Sequence, residues 1–235
     1  PARVFDSEDD AIQAIYDGKI VDGDNHIGVD EMTTFLKQRR LADDNVIILS
    51  AGDMWQGSSE SNLTYGALTT EWMNELGFAA MTLGNHEFDW GEAYIAQNAQ
   101  LAEFPFLAIN IYERGTDTQV DYCQSSVVVE ADGLQIGIIG AMGDCYSSIA
   151  PEKVEDVYFK TGSELTNLVK QESEKLRSEG VDFVVYLLHD GYGRSSGSST
   201  TVLTESTMKS YYDIALSQGY VDLVFEGHSH QGYLV

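Results

Sequence analysis

The chain has 235 residues, with 13 Lys and Arg against 38 Asp and Glu, a formal net charge of −25 at pH 7, and 43% hydrophobic residues. That apolar fraction is enough for a real core and argues against an acidic disordered tail, and the length suits one α/β domain or at most two. So acidic a surface lacks the Lys and Arg clusters that hold nucleic-acid backbones and is repelled by anionic membranes; a phosphate-bearing substrate would need local positive charge, which a bound metal can supply.

The first thirty residues are acidic and weakly patterned, with a short helix expected at 11–16. A second helix is expected at 29–40, where Val29, Met32, Phe35 and Leu36 keep helical spacing. From there one grammar repeats: apolar run, polar loop, amphipathic helix. Val46-Ile47-Ile48-Leu49 has the continuous apolar character of a strand buried on both faces, and Ala51-Gly52-Asp53 and a helix at 67–76 follow. A weaker strand at 79–83 leads to Gly84-Asn85-His86-Glu87 and a helix at 91–101, and another strand is expected at 106–110. Residues 126–130 and 134–139, joined by Ala131-Asp132-Gly133, read as a hairpin. A long helix at 163–179 precedes a strong strand at 183–188, which ends at His189-Asp190-Gly191. The Ser/Gly-rich stretch 194–201 reads as an exposed loop, a helix is expected at 204–218, and Leu223-Val224-Phe225 ends at Gly227-His228-Ser229-His230.

Cys123 and Cys145 are the two cysteines, too few for a disulfide framework; one bridge and two buried free thiols are both open readings. Neither has a CxxC partner or a His nearby in sequence, which argues against a thiolate metal site. No apolar run approaches the roughly 18 residues that span a bilayer. The chain opens at Pro1 without an initiator Met or a signal-like segment and closes on Gly232-Tyr233-Leu234-Val235, which begins to resemble a strand, so both ends are expected to be cuts.

Four strand-like runs end in loops that carry metal-capable side chains: Asp53, Asn85, His189, and His228 with His230. In an open parallel sheet ligands bind outside the carboxyl ends of the strands, so residues distant in sequence but all placed there converge. Four of the five histidines sit in such loops. Each piece alone has a plainer explanation: Gly-Asp as a turn or helix cap, His189 as a satisfied buried histidine, Asp89 as an N-cap. Taken together they point to a metal centre. Asp53 has two carboxylate oxygens and can bridge two cations; His189 and His228 offer imidazole nitrogen and Asn85 a carbonyl oxygen to one of them, and His230 reaches the other. A mixed N/O set suits zinc, manganese or iron. Two such divalent ions about 3.5–4 Å apart would lower the pKa of a bridging water and clamp an in-line phosphoryl displacement. His86 is placed to protonate the leaving oxygen, with Asp89 orienting its imidazole.

These residues resemble the ordered motifs of calcineurin-like metallophosphoesterases: Gly52-Asp53, Gly84-Asn85-His86-Glu87, His189 and Gly227-His228-Ser229-His230. The longer stretches 49–53, 84–89 and 226–231 resemble more narrowly the N-terminal catalytic domain of secreted 5′-nucleotidases and 2′,3′-cyclic-nucleotide phosphodiesterases. The resemblance runs from about residue 28 to 231. It implies a four-layer α/β/β/α sandwich, truncated here at both ends, with residues 1–28 as an acidic loop region and 29–235 as a single catalytic domain. It also implies a dinuclear metal centre in which Asp53 bridges, Asn85, His189 and His228 complete one site, His230 belongs to the other, and His86 with Asp89 forms the leaving-group dyad. The implied reaction is hydrolysis of a small phosphoester, a nucleotide above all, by in-line attack of a metal-bridging hydroxide. The implied location is extracellular, periplasmic or at the cell surface, and base recognition would fall to a C-terminal nucleotide-binding domain.

The family's first motif is Asp-x-His at the end of a strand. Asp24-Asn25-His26 fits the letters, but only Ile20-Val21 precede it in place of a strand, so two alternatives stand: these are the ligands, or the motif lies upstream of Pro1. That opens a competing reading of the chain as a metal-binding or interaction domain with an incomplete dinuclear site. A nuclease acting on long nucleic acid is disfavoured by the charge. Tyr192 and Arg194 follow His189 and read as part of a solvated loop.

Overall fold

The computed structural model describes residues 28–191 and 218–230, Glu60 by its backbone alone. Expectations at residues 11–16, Asp24, His26, Tyr192, Arg194, 194–201, 204–217 and 231–235 lie outside the described residues. The chain divides into two compact units, the first ending at Val46 and the second beginning at Ile47. In the first, helix α1 spans Val29–Ala42, with Asp30 and Glu31 in its first turn and Arg39 and Arg40 in its last. Both placements complement the helix dipole.

The second unit is built on two sheets. In one, β1 (Leu49–Ser50), β2 (Ala80–Thr82) and β3 (Phe106–Leu107) lie parallel in that order. A separate antiparallel pair joins β4 (Ile111–Glu113) to β7 (Val157–Phe159). The other sheet has the order β5 (Ser126–Ala131), β6 (Leu134–Met142), β8 (Phe183–His189), β9 (Leu223–Glu226). Here β5 and β6 form the hairpin, turning at Asp132 and Gly133, both at positive φ, while β6, β8 and β9 run parallel. The helices are α2 (Ser59–Leu63), α3 (Ala67–Leu76), α4 (Glu92–Leu101) and α5 (Gly162–Ser178).

The alternation of β6 explains its unbroken apolar run. Ile138 joins Ala80, Leu107, Val185 and Leu187 in the layer between the two sheets. Ile139 turns the other way, to Val169 and Leu176 of α5 and to Val184 and Tyr186 of β8. Both faces of the strand are covered, as expected of a strand inside a parallel sheet. On the far side of the first sheet, rings run from Trp72 of α3 through Phe78 and Phe104 to Phe106 of β3, each neighbouring pair 5.8–6.2 Å apart. The result is helix, sheet, sheet, helix. The two sheets approach so closely at Gly140 that a Cβ there would lie 2.2 Å from the Leu107 Cβ.

The expected strand at 46–49 narrows to a two-residue ladder, because only Leu49 and Ser50 face partners, Ala80 and Met81. The strand expected at 106–110 likewise stops at Leu107. The chain then turns, and buried Asn110 bridges to the end of β6, giving an N–H to the Met142 carbonyl (2.7 Å) and accepting one from the Met142 N–H (3.1 Å).

Candidate metal centre

The carboxyl ends of β1, β2, β8 and β9 meet at one edge. β1, β2 and β9 deliver Asp53, Asn85 and His228 two or three residues past their ends, β8 ends on His189 itself, and the turns are tight. A Cβ on Gly84 would lie 2.4 Å from Asp53 Oδ1 and 2.6 Å from His189 Cε1, so only glycine lets the three loops close on one another. Asp53, His228 and His230 all hold left-handed backbone, φ 59°, 67° and 52°. Non-glycine residues adopt that region at a cost, and they cluster where function demands it.

Four side chains converge. His189 is fully buried, with Nε2 3.1 Å from Asp53 Oδ2 and 3.1 Å from Asn85 Oδ1. His228 Nδ1 lies 2.9 Å from the same Asn85 oxygen, and the two imidazoles stand edge to face with centroids 5.3 Å apart. The Nδ1–H of His189 donates to the Ala51 carbonyl. A carbonyl can only accept, so Nδ1 carries the proton, and in the neutral ring Nε2 turns a lone pair toward the lone pairs of Asp53 and Asn85. A proton or a metal ion relieves that opposition. A histidine whose remote N–H is fixed by a carbonyl while its other nitrogen faces oxygen ligands is the arrangement of a metal-ligating imidazole. Asn85 differs in this from the buried Asn98 and Asn110. Those two give their side-chain N–H groups to main-chain carbonyls of Tyr65, Tyr94, Met142 and Lys160, whereas the Asn85 oxygen is shared between two rings.

The titration of these groups follows from the same contacts. Burial alone would raise the Asp53 carboxyl, but the His189 hydrogen bond and charge and the His86 N–H hold it below the usual carboxylate range. Burial would lower His189, yet the Asp53 bond and charge outweigh it and push the ring up. His228 is pushed down by burial and by the charge of His189.

His86 stands at the open side of this group. Its N–H donates to Asp53 Oδ1 (2.9 Å), and its ring Nδ1 meets Asp89 Oδ2 at 2.9 Å, both side chains about one-third or more exposed. His230 is exposed and close enough for its charge to act on His228.

Two residues that the sequence motifs left without a role are now placed. Glu87 is fully buried, and its carboxylate accepts the N–H groups of Asp53 (2.9 Å), Met54 (2.7 Å) and Gly84 (2.6 Å), tying the loop after β1 to the loop after β2. Burial and the Asp53 charge raise its pKa despite those donors. Cys145 is the other. It is a buried free thiol, as is Cys123. Cys145 has no histidine near it in sequence, the observation that argued against a thiolate site, but it has two in space: one ligand atom each from Cys145, His189 and His228 fall within 4.8 Å of one another. The signal was present in the sequence. Gly143-Asp144-Cys145 follows an apolar run and a glycine, the same grammar as the other ligand loops, and β6 runs parallel to β8 with Met142 opposite His189.

The chain matches the profile of the family described as calcineurin-like phosphoesterase over residues 20–232. It is 30% identical over 195 residues to Protein UshA of Yersinia enterocolitica, covering 82% of this chain and 34% of that protein. It is 33% identical over 172 residues to a 5′-nucleotidase of Diplobatis ommata, covering 70% of this chain and 28% of that protein. The chain thus spans about a third of the length of the curated relatives it matches. Among solved structures, the NAD nucleotidase NadN of Haemophilus influenzae shares the fold with a TM-score of 0.68 at 22% identity, over 88% of this chain and 37% of that one.

Proposed function

This chain belongs to the calcineurin-like phosphoesterase family, and we propose that it is a metal-dependent phosphoester hydrolase acting on small nucleotides. The observation that carries the reading is the convergence of Asp53 Oδ2, Asn85 Oδ1, His189 Nε2 and His228 Nδ1 on one point, with the His86–Asp89 pair beside it. The relatives' names, a 5′-nucleotidase and an NAD nucleotidase, support nucleotides as the substrate class. The surface of a chain with net charge −25 supports a small anion over a long one.

In this proposal Asp53, Asn85, His189 and His228 hold one divalent ion, and Asp53 with His230 addresses a second. Zinc, manganese or iron at such N/O ligands supplies the positive charge that a phosphoryl group requires and the protein surface lacks. The chain's own residues do the rest. Ala51 fixes the His189 tautomer through Nδ1, and Glu87 fixes the separation of the Asp53 and Asn85 loops. Asp89 accepts from Nδ1–H of His86, so in the protonated ring Nε2–H is the proton passed to the leaving oxygen. An extracellular or cell-envelope location, implied by the resemblance, belongs to the same proposal; among the described residues no helix is long and apolar enough to cross a membrane.

The test is His228→Ala. Phosphate release from a nucleoside monophosphate, with manganese or zinc added, should be lost; unchanged turnover would remove the proposed centre.

A further inference from the structure

Cys145 is presented to the metal centre by its own short clamp. It lies in a single 3₁₀ turn, Asp144–Ser148, that follows β6 directly. Three bonds fasten this turn to the end of β8. The Gly143 N–H donates to the His189 carbonyl (2.9 Å), the Asp144 N–H donates to Asp190 Oδ2 (2.8 Å), and the Cys145 thiol donates to the same His189 carbonyl (2.9 Å). Asp190 is itself buried, and its other carboxylate oxygen accepts the Gly191 N–H (2.8 Å). One ring nitrogen each from His189 and His228 and the Cys145 sulfur all lie within 4.8 Å of one another.

A zinc ion that holds Cys145 as well as Asp53, Asn85, His189 and His228 is five-coordinate, and Zn–N of about 2.0–2.1 Å with Zn–S of about 2.3 Å then sets neighbouring ligand atoms roughly 2.9–3.8 Å apart. Closing this cluster, whose atoms lie within 4.8 Å, therefore asks the three side chains to draw in by about 1.9 Å at most. The donors also differ in kind from those around them. Asp53 and Asn85 offer hard oxygen, imidazole is intermediate, and thiolate is soft, so sulfur shifts the preference of a site from manganese and magnesium toward zinc and cadmium.

We propose that Cys145 joins His189 and His228 as a sulfur ligand, giving this centre a Cys-His-His face selective for thiophilic divalent ions. Metal binding displaces the thiol proton to solvent, and the thiolate replaces its hydrogen bond to the His189 carbonyl with a bond to the ion. The proposal goes beyond the phosphoesterase reading. It requires that the two histidines bind a metal, not that the chain hydrolyse a nucleotide.

Cobalt(II) tests it in the full chain after chelator stripping. One equivalent of cobalt should produce a near-ultraviolet sulfur-to-cobalt charge-transfer band in the wild type. The band should vanish in Cys145→Ser, which keeps a donor for the His189 carbonyl. It should persist in Cys123→Ser, whose thiol lies against the Ala108 carbonyl instead. Zinc affinity should fall about 10-fold or more in Cys145→Ser, with manganese affinity held within about twofold. Bound cobalt with no such band, no cobalt binding, or a band that survives in Cys145→Ser would each overturn the proposal. Cadmium X-ray absorption on the wild type needs no variant: a Cd–S shell supports the ligand, and N/O scattering alone refutes it. Failure of nucleotide hydrolysis with every metal would refute the proposed function and leave these spectra unchanged.

Discussion

His86 Nδ1 is held 2.9 Å from Asp89 Oδ2, which leaves Nε2 as the ring atom that would meet a leaving oxygen in the proposed reaction. General acid catalysis matters most when the leaving alkoxide is poor. His86→Ala should therefore lower kcat for a nucleoside monophosphate by about 100-fold or more, and for an aryl phosphate with a good leaving group by far less. Equal losses on both substrates would take the acid role away from His86. His189 gives a second test, in the metal-free chain. Its folded pKa is raised above the usual 6.5 by the Asp53 bond and charge, which outweigh burial, while that of Asp53 is depressed by His189. The His189 contribution is then complete below about pH 6.5 and is lost as pH rises through the raised value; the Asp53 contribution is lost as pH falls through the depressed one. In chelator, urea stability should decline as pH rises above about 6.5 in the wild type, and the decline should be shallower in Asp53→Asn. Parallel profiles would mean that the pair does not form. The histidines, Asp53 and Asn85 were legible because each follows an apolar run at a strand end. Their mutual distances were not, since 104 residues separate Asn85 from His189 and only the sheet brings them together.

The two ligand loops after β1 and β2 are joined by the carboxylate of Glu87, which receives three main-chain N–H groups at full burial. A glutamine of the same shape would turn an amide N–H toward at least one of those donors. Glu87→Gln should cost about 1–3 kcal/mol in denaturant unfolding and should weaken metal binding in the folded fraction. A variant as stable and as well loaded as the wild type would show that the loops are held by their other contacts. At this scale the sequence was read well where a signal is local. The Asp132-Gly133 turn, the helix at Ala67–Leu76 and the strand leading to His189 all rest on neighbouring residues. The β4–β7 pair was invisible because Ile111–Glu113 and Val157–Phe159 find each other across more than forty residues, with no alternation strong enough to mark either. The hairpin reading of β6 also hid its second edge. Its parallel pairing with β8 makes Met142 another strand end at the site, and that is how Cys145 arrives there.

Over the whole molecule, the net charge of −25 and the convergent centre make one argument. An anionic substrate approaches a repulsive surface and is accommodated only where positive charge is concentrated, and 13 basic residues among 235 are few for that task. In the proposed centre, metal held by Asp53, Asn85, His189 and His228 would provide it. The most direct test is elemental analysis of the purified full chain, paired with phosphate release from a panel of nucleotides before and after chelator treatment. The account predicts stoichiometric zinc, manganese or iron, activity that disappears with the metal and returns on its addition, and loss of both metal and activity in Asp53→Asn. A metal-free chain that hydrolyses nucleotides at full rate in chelator would contradict it.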